Sequence, residues 1–348
     1  GLLFLTLTGL YSFLVRVGGT FYSFQWDTLL IETGWVTSLC YAPWIHLRSR
    51  CQGPKESNSV VGAWPLRFLL FKLMFMSGVV KLQADCPTWT NLTALEYHFA
   101  TQCLPGPLAW YAHQIHPFLL RLSVALTLII EIQASFLLIF CRTEWRRVGA
   151  YLQLALQGLI ISSGNYNFFN LLTMALCLPC MDSRSSNDND EPLKQISANQ
   201  RRNNTRILDL SLCFGYLAWS FATMFEVGSS GMNELTVKLT WTKFFCEEII
   251  RITVPLAISA TFLFVTWTGI HYLFTSQKTF ETMRRCVHLI VCIICIGISS
   301  VPFLQLSHGL TQSSNWMMQP TRFFVNPWMT FQSFYISNGY GLFRRMTG

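Results

Sequence analysis

The chain has 348 residues, of which 51% are hydrophobic and only 12% are charged, and its mean hydropathy is +0.37. The apolar residues come in long blocks, a pattern that excludes an ordinary soluble domain and predicts a polytopic membrane protein. The formal net charge of +8 is not accompanied by a basic motif interleaved with aromatic residues, so we expect no nucleic-acid partner.

Nine apolar blocks follow one another along the chain, and they predict an all-α fold. We expect a polytopic transmembrane helical bundle with about nine membrane-embedded helices. The block at 168–181 is shorter than the roughly 20 residues that a spanning helix needs, so with 148–163 it is expected to form a tight or partly re-entrant hairpin. The blocks cover residues 3–24, 28–46, 66–83, 119–140, 148–163, 168–181, 207–227, 246–274 and 287–305.

Lys and Arg are concentrated in alternate connections between these blocks, and the positive-inside rule assigns such connections to the cytoplasm. The loop 84–118 and the turn 164–167 contain neither residue, so we expect both to face the lumen. The basic connections contain Arg48, Arg50, Lys55 and Arg67, then Arg142, Arg146 and Arg147, then Arg184, Lys194, Arg201, Arg202 and Arg206, then Lys278, Arg284 and Arg285.

The same patterns divide the chain into four parts. Residues 1–181 form a first membrane half, and 182–206 have the composition of a disordered cytoplasmic linker. Residues 207–305 form a second membrane half, and 306–348 begin a lumenal C-terminal region. The chain starts with Gly inside an apolar block and stops without a tail signal, so we expect it to be an internal fragment of a longer protein.

A polar stretch interrupts the apolar sequence in the middle of the first half. It reads "ISSGNYNFFN" and covers residues 161–170. A bilayer offers exposed amides no hydrogen-bond partner, whereas Asn and Gly often cap helix ends. The stretch therefore predicts the lumenal turn of a helical hairpin.

The loop 84–118 carries two candidate covalent modifications. Asn91 begins the glycosylation acceptor Asn91-Leu92-Thr93, which requires a lumenal position. Cys86 and Cys103 lie seventeen residues apart in the same loop. A disulfide between them would stabilise the folded loop by about 3 kcal/mol; the alternative is a pair of buried thiols.

Several ionisable residues are candidates for chemistry because of where they lie. Glu131 is near the middle of the block 119–140, and charges inside a membrane are usually functional or paired. Either an ion pair or hydrogen bond within the bundle, or a proton or substrate path, would explain it. Asp27 and Glu32 follow Trp26 at a lumenal turn, where Trp can be a simple interface anchor or the carboxylates can form a paired site. Loop 84–118 adds further candidates for a metal or acid–base site, namely Glu96, His98, His113 and His116.

Four long stretches resemble the lipase maturation factor family. They read "SFQWDTLLIETG", "FKLMFMSGVVKLQADCPTWTNLTALEYHFATQCLPGPLAWYAHQ", "SGNYNFFNLLT" and "NPWMTFQSFYISNGYGLFRRMTG". The resemblance implies a multi-pass protein of the endoplasmic reticulum membrane that contacts membrane lipid and helps client lipases in the lumen, of the lipoprotein lipase type, reach their active state. It implies no catalytic, cofactor-binding or metal-binding residue, and no cofactor.

A client-binding factor of this kind needs an exposed aromatic surface on the lumenal side. The stretch 306–348 is rich in aromatic residues outside any apolar block, and it is equally compatible with the edge of a folded domain. The candidate surface residues are Trp328, Phe331, Tyr335, Tyr340 and Arg344.

Two other functions remain open. The helical region is also similar, more faintly, to the membrane domain of vitamin K-dependent carboxylase, which implies a membrane-embedded enzyme. That alternative requires polar groups such as Glu131, His98 and Asp27 to converge on one cavity. A transporter is less favoured, because matching broken helices in two halves are not evident.

Overall fold

The protein is built from helices and one β-hairpin in the part of the chain that the structure describes. This computed structural model describes residues 2–22, 24–41, 57–102, 105–140, 142–164, 166–181, 192–230, 234–274, 279–307 and 323–346. Its elements are α1 (Leu2–Gly18), α2 (Gln25–Val36), α3 (Ser57–Gln83), α4 (Pro87–Thr90), α5 (Ala94–Thr101), α6 (Pro107–His113), α7 (Pro117–Leu128), α8 (Ala134–Leu138), α9 (Thr143–Ser163), α10 (Phe169–Met181), α11 (Pro192–Met224), β1 (Phe225–Ser230), β2 (Glu234–Leu239), α12 (Lys243–Phe274), α13 (Thr279–Leu306) and α14 (Val325–Phe331).

Among the described residues, four short helical turns of other kinds extend these elements. Two are 3-10 turns, at Gly19–Tyr22 and Gln332–Phe334. Two are π turns, at Thr37–Tyr41 after α2 and at Ile129–Gln133 between α7 and α8. A π turn inside a helix frees backbone groups and is frequent at functional positions.

The prediction of an all-α membrane bundle is confirmed, and each of the nine apolar blocks contains a helix. Five helices in the described residues are long and apolar enough to cross a membrane: Val61–Gln83, Pro117–Leu138, Asn203–Met224, Lys243–Phe274 and Thr279–Leu306. The apolar helices Leu2–Gly18 and Phe169–Met181 are shorter. A count of about nine embedded helices is therefore not confirmed.

The chain packs into two compact units. The first contains residues 1–83 and 243–342, and the second contains 84–242 and 343–348. This division by packing differs from the division at the polar segment 182–206, because each sequence half contributes helices to both units.

Helix α3 lies at the centre of the first unit, where it packs against α12 and α13. Its side chains Phe68, Phe71 and Phe75 all meet the ring of Phe303 on α13 edge-on, at centroid distances of 5.5–6.2 Å. Such edge-to-face pairs are favourable because the positive ring edge meets the negative ring face. This packing fixes α3 relative to α13.

A glycine allows the close approach of α3 to the π turn that follows α2. A Cβ atom built on Gly62 would lie 2.2 Å from the backbone oxygen of Cys40, a distance that no side chain can occupy. His288 on α13 donates its Nε2 hydrogen to the same oxygen, with the Nε2 atom 2.7 Å away. The π turn is thus held by both neighbouring helices.

The second unit contains the predicted helical hairpin. Helices α9 and α10 pack against each other, and α9 ends at Gly164, whose N–H donates to the oxygen of Ile160. Asn167 has a positive φ of 57°, a left-handed conformation that Asn tolerates well. The polar stretch is therefore a turn between helices, as predicted; its lumenal position stays a prediction.

Two features of the second unit differ from expectation. Residues 192–206, predicted as disordered linker, form the first part of α11; Ala, Gln and Arg in this segment are good helix formers, and the apolar helix that follows can nucleate them. Residues 225–239 form an antiparallel β-hairpin in which Phe225 pairs with Leu239 and Val227 with Val237. The short β-branched and aromatic runs around "GSSGMN" carried that signal.

Candidate functional site

A buried polar cluster of the first unit is built around Glu32 on α2. Both carboxylate oxygens accept hydrogen bonds, and the residue has no exposed surface. Its Oε1 atom lies 2.5 Å from Lys72 Nζ and 2.9 Å from Ser299 Oγ. Its Oε2 atom accepts from Tyr340 Oη at 2.6 Å and from the backbone N–H of Asn338 at 2.9 Å. We call these five residues the Glu32 network.

The cation of the network is Lys72, which projects from the buried centre of α3. Its ammonium donates to Glu32 and, at 2.8 Å, to Ser299 Oγ, and it lies 5.2 Å from the centre of the Tyr340 ring. Taking both charges out of water costs several kcal/mol for each ion. The pair is tolerable only because hydrogen bonds satisfy the remaining donors and acceptors.

The network joins the C-terminal segment 335–341 to α2. Gly341 N–H donates to Gln25 Oε1 at 3.0 Å, and Asn338 Nδ2 donates to the backbone oxygen of Thr28. Tyr340 is almost fully buried, and burial together with the Glu32 carboxylate raises its pKa well above the usual value near 10. The phenol therefore stays protonated and remains a donor to Glu32 at any physiological pH.

Asp27 lies one and a half turns before Glu32 on α2, yet it has its own partner. It is buried and accepts from Tyr11 Oη at 2.6 Å. Two carboxylates that share a proton need to face each other. Here the two carboxylates accept hydrogen bonds from different donors. Each one therefore connects α2 to another segment of the chain.

The π turn between α7 and α8 places Glu131 in the interior of the second unit. The residue is 6% exposed and lies within the candidate span Pro117–Leu138. The residue takes part in an interaction within the structure. The hypothesis that a polar or basic group holds Glu131 stays a prediction, and it can be tested by substitution.

Replacing Glu131 by Gln is expected to be milder than replacing it by Leu, because Gln keeps the size and most of the hydrogen-bonding capacity. Leu leaves the buried partner unsatisfied, at a cost of about 1–3 kcal/mol. Thermal unfolding and abundance of the purified variants measure the difference. Glu226→Leu, at an exposed position on β1 of the same unit, is the control. Wild-type behaviour of both Glu131 variants would remove any structural role for this side chain.

The loop 84–118 holds its candidate residues apart. Glu96 forms an ion pair with Arg121 at 2.9 Å, and His98 Nε2 lies 2.8 Å from Tyr166 Oη. His116 caps α7 by accepting from the backbone N–H of Phe118. Among the described residues, no group of three or more His, Cys, Asp or Glu side chains could hold a metal ion.

Asn91 is exposed at the end of α4, and Cys86 lies beside it with its Sγ atom 3.2 Å from Thr88 Oγ1. Cys103 lies outside the described residues, so the Cys86–Cys103 disulfide stays a prediction. The same holds for the glycan at Asn91, whose side chain is accessible to a modifying enzyme.

Endoglycosidase treatment of the protein from a secreting cell is expected to lower its apparent mass on a gel by the mass of one glycan. Asn91→Gln should abolish this shift. Asn203→Gln, which alters the sequon in the basic segment, is the matched control and should leave the shift intact. A full shift in Asn91→Gln would exclude Asn91 as the acceptor.

The candidate client surface needs one correction. Tyr340 is 2% exposed and belongs to the Glu32 network, so it is not part of a surface. Trp328 is half-buried and donates its Nε1 hydrogen to the oxygen of Ser337, and Tyr335 is half-buried with a φ of 54°. Phe331 is exposed in the same unit, and Arg344 is exposed in the second unit.

Sequence reasoning missed three members of the Glu32 network, namely Lys72, Ser299 and Asn338. Lys72 had a readable signal, because a lysine inside the apolar block 66–83 is an intramembrane charge. Ser299 and Asn338 had none, since neutral polar residues are common in helices and loops. Only the folded chain brings residues 32, 72 and 299 to one point.

Comparison with known proteins gives a consistent result. The family description "Lipase maturation factor transmembrane domain" matches residues 1–188. Lipase maturation factor 2 of Gallus gallus is 34% identical over 368 residues, covering 100% of this chain and 49% of the relative. Its Homo sapiens counterpart is 32% identical over 99% of this chain and 51% of the relative. Lipase maturation factor 1 of Homo sapiens is 35% identical over 52% of this chain and 31% of the relative.

The chain thus spans about half the length of the curated relatives that it matches over its whole length. No solved structure gives a significant match to it. The family match covers both the π turn at Glu131 and the helices that carry Glu32 and Lys72. This multi-pass membrane chain belongs to the lipase maturation factor family.

Proposed function

We propose that the protein is a maturation factor of the endoplasmic reticulum membrane that binds secreted lipases during folding and assembly, without itself catalysing a reaction. The observation that carries this proposal is an exposed apolar segment, residues 323–334, which directly precedes the segment that the Glu32 network anchors to the helices. Relatives named for lipase maturation support the client class.

The apolar segment exposes four large side chains within twelve residues of the chain. Phe323 is 78% exposed and Met329 is 62% exposed, and Phe331 and Phe334 are each exposed by more than two fifths. Contiguous exposed apolar groups with an adjacent arginine are typical of protein interfaces. We call Phe323, Met329, Phe331 and Phe334 the client surface.

An arginine from α1 fixes one end of this surface. The guanidinium of Arg16 lies 4.6 Å from the centre of the Phe334 ring, and its Nε atom donates to the backbone oxygen of Ser333 at 3.0 Å. A cation over an aromatic face contributes about 0.5–1 kcal/mol at an exposed site. The surface is therefore preorganised, which lowers the entropic cost of binding a client.

A surface held in this way suits a partly folded client. Exposed aromatic and methionine side chains can cover apolar patches that a lipase has not yet buried, and they release it once those patches are inside its own core. We propose that the surface faces the lumen, where secreted lipases of the lipoprotein lipase type fold. The absence of Lys and Arg from loop 84–118 supports this orientation of the chain.

Deleting the gene in a cell that secretes lipases tests the function. The expected result is a loss of secreted lipase activity that exceeds the loss of secreted lipase mass, because unassisted lipase leaves the cell inactive or is retained. Re-expression of the whole protein should restore activity, and an unrelated secreted enzyme measured in parallel should not change. Unchanged specific activity of every secreted lipase would exclude a maturation role.

A further inference from the structure

Helix α6 exposes its large apolar side chains and buries a small one, which is the opposite of what is expected for a helix that faces water. Its small residue Ala109 is fully buried, whereas Trp110 and Tyr111 are each 65% exposed and Leu108 is 53% exposed. The two aromatic rings contact each other edge to face at 5.1 Å. A water-facing helix buries large apolar side chains and exposes small or polar ones.

Other large apolar side chains near α6 in the second unit are also exposed. Ile115 in the turn after α6 is 44% exposed, and Leu119 at the start of α7 is 49% exposed. Helix α6 also packs against α9, whose last turns expose Leu159 and Ile161. Because Pro117–Leu138 is a candidate membrane span, α6 lies just before the start of a span in the chain.

The lack of charged residues in this region argues against a charged partner. Residues 97–120 contain no Asp, Glu, Lys or Arg, so the face carries no fixed charge to attract an acidic or basic protein or an anionic headgroup. Trp and Tyr, by contrast, are enriched where hydrocarbon meets headgroups, because their rings are apolar and their N–H or O–H groups reach water.

We propose that α6 is an interfacial helix that inserts Leu108, Trp110 and Tyr111 into the headgroup region of the bilayer. The partner is the surface of an uncharged phospholipid leaflet, bound through apolar and aromatic contacts rather than through charge. The helix then holds the loop 84–118 at the membrane surface. This proposal does not depend on the proposed function, since it concerns lipid and not a client.

Fluorine NMR of the protein in nanodiscs, with fluorotryptophan in place of its 12 tryptophans, tests the proposal. The resonance that disappears in Trp110→Phe belongs to Trp110. A phosphatidylcholine carrying a nitroxide near its headgroup is expected to broaden this resonance beyond detection, while a water-soluble gadolinium chelate should broaden it far less. Trp89, buried in the same unit with its Nε1 bonded to the Phe343 oxygen, is the control that neither agent should reach.

A second reporter protects the test against a local disturbance. Tyr111→Trp in the Trp110→Phe background moves the reporter by one residue on the same exposed face, and it should respond as Trp110 does. Replacing part of the phosphatidylcholine by anionic lipid should not change either response. Broadening by the chelate alone would show a water-exposed helix, and broadening by neither agent would show that protein covers this face; either outcome would overturn the proposal.

Discussion

Replacing Lys72 by Met is expected to be among the most damaging single substitutions in the protein. It leaves the Glu32 carboxylate buried without its cation, and removing one partner of a buried ion pair costs about 3–5 kcal/mol. The side chain is fully buried at the centre of α3, so water cannot compensate for the loss. Thermal unfolding of the purified protein in nanodiscs, together with its abundance in the membrane, measures this effect.

The double variant Lys72→Met, Glu32→Gln distinguishes loss of a charge partner from simple loss of packing. Removing both charges leaves neutral groups of similar size, and such replacements are often close to neutral. We therefore expect the double variant to regain much of the stability that Lys72→Met loses. Glu32→Gln alone should again destabilise, because it leaves the Lys72 ammonium unpaired.

An exposed ion pair of the same unit provides a matched control. Arg251 and Glu248 on α12 are 3.0 Å apart, but both side chains are nearly half exposed. Glu248→Gln is expected to cost about 0–1 kcal/mol, since solvent screens such pairs. If Lys72→Met unfolds at the same temperature as Glu248→Gln, the Glu32 network does not stabilise the protein. If added protease cleaves segment 335–341 in Lys72→Met but not in Glu248→Gln, the substitution of Lys72 has detached that segment from the helices.

The helices of this fold could be predicted from the sequence because a spanning helix is a local property. An uninterrupted apolar block, such as 287–305, is itself sufficient to predict a helix like α13. The β-hairpin escaped prediction because its first residues, Phe225 and Val227, extend the apolar block 207–227. The early turns of α11 escaped it because a polar composition is shared by disordered linkers and by exposed helices.

The candidate site could be predicted only in part, since it depends on contacts between distant residues. Glu32 and Tyr340 are separated by 308 positions in the chain, and nothing in either local sequence indicates the other. Tyr340 looked like a surface residue because aromatic residues outside an apolar block suit either a binding surface or a core. The deciding fact is that Glu32 needs a donor on Oε2, and the folded chain supplies Tyr340 there.

Truncating the client surface is expected to abolish lipase binding without harming the protein. In the whole protein, the triple variant Met329→Ala, Phe331→Ala, Phe334→Ala truncates three exposed side chains, and the stability lost should be small, about the 0.5–1 kcal/mol of the contact between Arg16 and Phe334. Aromatic hot spots typically contribute about 2 kcal/mol or more each, which corresponds to a loss of affinity of about thirtyfold or greater. Co-precipitation of lipase and secreted lipase activity are expected to fall together, at normal abundance of the variant.

The control for this experiment is Phe280→Ala at the start of α13. Phe280 belongs to the same unit and is 75% exposed, but it lies beside the basic connection that we assign to the cytoplasm. A general loss of exposed apolar surface would affect both variants, whereas a lumenal client surface predicts an effect of the triple variant alone. If the triple variant binds lipase normally but yields inactive lipase, the protein acts on its client by more than binding, and a catalytic role would have to replace the one proposed here.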